Sequence, residues 1–164
     1  MPIHLIGLGL GTIEYLTLGA LEAAERMDKL LLDTYTSWIH PDLVKYLEQR
    51  FGDRLVKADR RMLEEEVDEL IKRAEEKEIG ILVPGDPLIA TTHISIILEA
   101  RRRGVPAYLT YGVSIVSASA SASGLQAYKF GRITTIPRDG VGVETCYRVV
   151  AENLEKGLHS LILL

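Results

Sequence analysis

Three short stretches hold the residue types from which a ligand site is built. "GLGLGT" sets glycines at 7, 9 and 11 between an apolar run and a helical pattern. Glycine accepts positive φ and lets a ligand approach the backbone closely. "LVPGDPLIATTH" ends a second apolar run with Gly85, Asp86 and Pro87, then supplies Thr91, Thr92 and His93. Pro87 biases Asp86 away from the helical region, and the two flanking prolines stiffen a turn that presents a carboxylate. "YGVSI" places Ser114 and Ile115 after a third apolar run, a hydroxyl and an apolar side chain able to flank a planar ring. Each stretch also has a plainer reading: a tight strand-to-helix turn, an Asp-Pro turn, and a helix cap. His93 reads as a structural rather than a catalytic histidine.

Other chemistries find less support. Asp33 closes an apolar run after the glycine loop, where an acid binds ribose in NAD-type Rossmann dehydrogenases. That fingerprint is G-x-G-x-x-G, however, and Thr12 stands where its third glycine falls. His4, His40 and His159 are scattered and show no metal-ligand spacing, so no metal is expected. There is no Ser-His-Asp set and no phosphate loop ending in Gly-Lys-Ser/Thr. No residue stands out as catalytic. Tyr35, Trp38 and Tyr108 read as packing residues.

The elements that must position these loops alternate. Strands are expected at 3–7, 29–33, 54–58, 80–84 and 106–111. Helices are expected at 14–27, 40–51, 60–78 and 92–103, with Leu16, Leu18, Leu21 and Ala24 on the inner face of the first. Near-continuous apolar strands alternating with helices predict an α/β fold, a parallel sheet flanked by helices. Ligands bind such sheets outside the carboxyl ends of the strands, where all three stretches fall. Past Gly112 the pattern changes. "SIVSASASASG" reads as a closely packed helix, followed by a strand at 132–137, a helix at 143–157 and a strand at 159–164. This divides the chain into an N-terminal α/β domain, 1–112, and the beginning of a second α/β domain, 113–164. An apolar strand closes the sequence, and such an edge invites pairing. The expectation is a truncated two-domain protein, or pairing supplied by another subunit.

Composition limits the function classes. The chain has 164 residues and a formal net charge of −4, which argues against counterion-driven nucleic-acid binding. No apolar run is long enough for a membrane span. The single cysteine, Cys146, makes no internal disulfide and points to a reducing, cytoplasmic setting.

Together, "IGLGLG", "YLTLGALEAAERMDKLLLDTYTS", "LVPGDPLIATTH", "GVSI" and "GLQAYKFG" resemble the tetrapyrrole-methylase-like class of S-adenosylmethionine-dependent methyltransferases. Within that class they are similar to the diphthine synthase family. The resemblance implies two α/β domains, a homodimer and methyl transfer to the amino group of the modified histidine of translation elongation factor 2, in diphthamide biosynthesis. It implies S-adenosyl-L-methionine as cofactor and S-adenosyl-L-homocysteine as product. Carried onto this sequence, the cofactor contacts would be Leu10, Asp86, Ile89, Ser114, Ile115 and Leu164. Further cofactor contacts would come from a second half of the family fold. A dehydrogenase using Gly7, Gly9 and Asp33 remains an alternative, as does a non-catalytic dimerisation module.

Overall fold

The apolar runs pair as parallel strands. β1 (Ile3–Gly7), β2 (Lys29–Asp33), β3 (Leu55–Ala58), β4 (Ile79–Val83) and β5 (Ala107–Thr110) form one sheet. Its order is β3-β2-β4-β1-β5, and every pairing is parallel. The computed structural model describes residues 1–137 and 140–164, which divide into two compact units, Met1–Ser114 and Ile115–Leu164.

In the first unit the connections are α1 (Leu18–Glu25), α2 (Pro41–Phe51), α3 (Val67–Ala74) and α4 (Ile94–Arg102). Successive strand side chains point to opposite faces. Ile3, Leu5, Leu31, Ile79, Ile81 and Val83 therefore pack on one face with residues of α3 and α4. Ile6, Leu30, Leu32 and Leu82 pack on the other with residues of α1 and α2. Each fully buried Leu or Ile contributes roughly 1.5–3 kcal/mol. β1 and β4 are neighbours, and the helices that follow them lie on opposite faces. The crevice at their carboxyl ends is the topological switch point of the sheet, where open α/β folds place ligands.

Two helices differ from expectation. Residues 14–27 form a short 3-10 turn at Ile13–Tyr15 and then α1. Thr17 restarts the helix by accepting a hydrogen bond from the Ala20 amide at 3.0 Å. This rotates Leu18 outward, to 79% exposure, and buries Ala20, Ala23 and Ala24 instead. Residues 60–78 open with a π-type turn at Arg61–Glu65 before α3 begins. Leu63, Leu70 and Ile71 all stay buried across it.

The second unit contains α5 (Ile115–Ala122), β6 (Thr134–Thr135), α6 (Val143–Glu155) and β7 (Ile162–Leu163). The Ser/Ala run is helical, as expected, and Ser123 bonds back to the Ser119 carbonyl at 2.8 Å. β6 and β7 pair in parallel around α6, a small βαβ unit with strands shorter than the sequence predicts. Its polar centre is buried Asn153, which accepts from the Arg132 amide and donates to the Arg132 carbonyl and the Ser160 hydroxyl. Cys146 is buried nearby on α6.

Candidate functional site

The loops after β1, β4 and β5 meet backbone to backbone. The Leu8 amide donates to the Val83 carbonyl at 2.8 Å, and Gly9 and Gly85 exchange both amide bonds, at 3.2 and 2.7 Å. A Cβ on Gly7 would lie 2.5 Å from the Gly112 nitrogen, and one on Gly112 would lie 2.1 Å from the Gly85 oxygen. Gly9 sits at φ +71°, with the Tyr15 carbonyl 2.3 Å from where its Cβ would be. Much of the glycine pattern is therefore accounted for by the protein's own strand ends, which leave no room for a side chain.

Asp86 shapes the second loop. Its Oδ1 accepts from the Leu88 amide at 3.1 Å, and its carbonyl accepts from the Ile89 amide at 3.3 Å. The other carboxylate oxygen has no partner among the described residues. Leu88 packs onto the core, whereas Ile89 is 46% exposed. Ala90 follows at φ +55°, a left-handed conformation found at no other described non-glycine residue. Leu10 and Ser114 are half-buried on the loops after β1 and β5. Four of the six expected contacts, Leu10, Asp86, Ile89 and Ser114, thus lie at the carboxyl edge of one sheet. Ile115 begins α5 and Leu164 follows β7, both exposed in the second unit.

A feature that residue patterns did not reveal lies beside this edge. Asp33 and His93 are both fully buried, with Nε2 2.9 Å from Oδ2. Oδ1 also accepts from the Tyr35 and Thr36 amides, each at 3.1 Å, and Oδ2 from the Thr36 hydroxyl. Burial pushes the Asp33 carboxyl upward, but these donors outweigh it and hold the group below its ordinary value of 3.8. Asp33 is consequently ionised and can only accept, so His93 donates through Nε2. Outside this pair, Glu64 accepts from the Tyr35 hydroxyl at 3.2 Å and the Thr92 hydroxyl at 2.9 Å. Burial and the charges of Asp33 and Glu64 raise the Tyr35 phenol far above its usual range, so it stays a donor.

These contacts correct the dehydrogenase alternative. An acid that reads ribose must face the ligand, whereas every Asp33 bond is internal. They sharpen the reading of His93, which is structural as expected and paired with a specific acid. Tyr35 packs as expected. Trp38 and Tyr108 do not, being 66% and 55% exposed; their rings lie against His40 and His4. Among the described residues no group of histidine, cysteine or carboxylates could hold a metal, and no helix is long and apolar enough to cross a membrane.

Comparison with known proteins agrees with this fold. The family model of the tetrapyrrole (corrin/porphyrin) methylases matches residues 2–164. The diphthine synthase of Methanothermobacter thermautotrophicus is 39% identical, over 99% of this chain and 62% of its own length. The diphthine methyl ester synthase of Schizosaccharomyces pombe is 36% identical, over 98% of this chain and 57% of its own. A crystal structure of diphthine synthase superposes with a TM-score of 0.87 at 35% identity, covering 99% of this chain and 63% of that one. The chain thus spans about three-fifths of the length of these relatives.

Proposed function

The chain belongs to the tetrapyrrole (corrin/porphyrin) methylase family, and we propose that it supplies one wall of the cofactor site of an S-adenosylmethionine-dependent methyltransferase of the diphthine synthase type. The observation that carries this reading is the Asp86 oxygen left without a partner among the described residues, beside exposed Ile89 at the switch point of the sheet. That pairing suits a ligand with hydrogen-bonding groups next to a planar ring. Leu10, Asp86, Ile89 and Ser114 would line the first unit's share of the site. For Ile115 and Leu164 only the motif resemblance supports a cofactor contact. The acceptor would be the modified histidine of translation elongation factor 2, and the whole protein a cytoplasmic homodimer. The relatives' names and the motif resemblance support these last assignments.

When bound, the cofactor supplies a methyl group on sulfonium, an electrophile that needs no metal. This chain's residues would orient it and exclude water. The Asp86 turn, closed by the Leu88 amide, sets one acceptor oxygen in a fixed direction. Ile89 offers an apolar surface, and the joined glycine loops form a rigid floor. Methyl transfer of this kind depends on holding reacting atoms about 3–3.5 Å apart in line, so floor rigidity is the useful property.

Calorimetric titration of the full-length protein with S-adenosylhomocysteine tests the reading. Asp86→Ala is expected to weaken binding at least about tenfold, which corresponds to roughly 1.4 kcal/mol, with the fold retained by circular dichroism. Equal affinity in both proteins would remove Asp86 from the site. Incubating the full-length protein with unmethylated elongation factor 2 and labelled cofactor then tests the acceptor. The product's mass counts the methyl groups, and base lability separates ester from amine methylation.

A further inference from the structure

The 84–93 loop is firmly held up to Leu88, with Pro84 and Pro87 buried, and weakly held from Ile89 to Thr92. Ile89, Ala90 and Thr92 are exposed, and Ala90 occupies a left-handed conformation unfavourable for a residue with a Cβ. Exposed loops with few apolar contacts open easily. Three anchors restrain this one: Gly85, paired with Gly9, Leu88 on the core, and His93 buried against Asp33. Asp33 also organises the 34–37 turn through the Tyr35 and Thr36 amides. Glu64 ties the same two segments from outside, taking hydrogen bonds from Tyr35 and Thr92. Buried polar atoms without a partner are rare. The two such atoms among the described residues, Thr91 Oγ1 and His93 Nδ1, both fall in this loop. The stretch carries more polar groups than its packing uses.

We propose that Asp33 and His93 are positioning residues for the cofactor. Their buried hydrogen bond fixes the 34–37 turn to the 84–93 loop and so holds Asp86 and Ile89 in binding geometry. This rests on the methyl-donor reading above. The bond has an ionised acceptor in a low-dielectric interior, which makes it stronger than a neutral pair. Neither residue reaches the ligand edge, since both are fully buried. Their effect is on the shape of the loop between the Asp86 turn and His93. A pair that merely stabilised the core would lower the melting temperature and leave ligand affinity unchanged. A positioning pair changes affinity in protein that is still folded.

The test is calorimetric titration of the full-length protein with S-adenosylhomocysteine, at a temperature where each variant is folded by circular dichroism. His93→Leu is expected to weaken binding about tenfold or more, and His93→Gln, whose amide can donate to Asp33, to stay within about threefold of wild type. Thr92→Val cuts only the outer tie through Glu64 and is expected to cost about threefold. Folded His93→Leu with wild-type affinity would overturn the proposal, as would His93→Gln binding as weakly as His93→Leu. If His93→Leu does not fold, Thr92→Val decides: unchanged affinity would overturn the proposal. Wild-type protein that does not bind S-adenosylhomocysteine would overturn the methyl-donor reading, and this inference with it.

Discussion

The loops after β1 and β4 end neighbouring strands and are held by different means away from the contact they share. The first, Gly7 to Gly11, is fixed by backbone lying on backbone, with no room for a Cβ at Gly7 or Gly9. The second, Pro84 to His93, shares that backbone contact through Gly85 and beyond it is fixed by side chains: the Asp86 turn at one end and the buried Asp33–His93 bond at the other. A ligand edge can therefore be made rigid by removing atoms or by adding polar ones. The two solutions fail differently. The glycine contact breaks when a carbon is added at Gly7 or Gly112, whereas the polar latch weakens by degrees and with pH.

The largest effect is expected where the strand ends meet. In Gly112→Ala the new Cβ would sit 2.1 Å from the Gly85 oxygen and 2.9 Å from the Gly7 carbonyl carbon. Backbone on every side cannot yield, so the loss should exceed about 4 kcal/mol, or folding should fail. Gly85→Ala is the control within the same contact. A Cβ there meets open space, and only its φ of +78° opposes the change, a cost of about 1–2 kcal/mol. Urea denaturation of both variants reads the difference. Equal losses would mean that backbone conformation, rather than close approach, governs the glycine loop.

Next in size is the latch. Asp33→Asn should cost about 2 kcal/mol at neutral pH, because His93 loses an ionised acceptor. The folded carboxyl lies below its ordinary value of 3.8. Its ionised form therefore stabilises the fold above that pH, and the contribution is lost as pH falls through the lower folded value. The gap between wild type and variant in urea midpoint should narrow as pH falls below about 4. A gap independent of pH down to the acid transition would show that charge is not what the latch uses.

The sequence is more informative about the first region than about the second. Strand positions were legible because five apolar runs alternate with helical patterns, and the edge that carries the loops follows from parallel topology. Gly7, Gly9, Asp86 and Ser114 could be singled out by residue type alone. Local patterns could not show what the glycines pack against, since Gly7 and Gly112 are far apart in sequence. The same distance hid the latch: Asp33 and His93 are 60 residues apart, and each alone resembles an ordinary strand end or cap. Read in isolation, Asp33 even suggested ribose binding. The break before α1 was missed for a local reason. Thr17 is a strong cap inside an unbroken apolar periodicity, and the cap prevailed.

The smallest expected effect concerns Ala90, and it separates two accounts of the second loop. Its φ of +55° costs an L-residue energy, and glycine at this position would relieve about 1 kcal/mol of it. Glycine also loses more conformational freedom on folding, by about 0.5–1 kcal/mol. These terms nearly cancel, so Ala90→Gly should leave the melting temperature almost unchanged. If the loop's shape is imposed by its anchors, Asp86 at one end and His93 at the other, affinity for S-adenosylhomocysteine should also stay within about threefold. If the strained residue itself sets the shape, freeing it should scatter the positions of Ile89 and Asp86, and affinity should fall further than in His93→Leu. Titrating the two variants side by side ranks them. A weaker Ala90→Gly would move the source of loop order from the buried latch to the backbone, as in the glycine loop on the neighbouring strand.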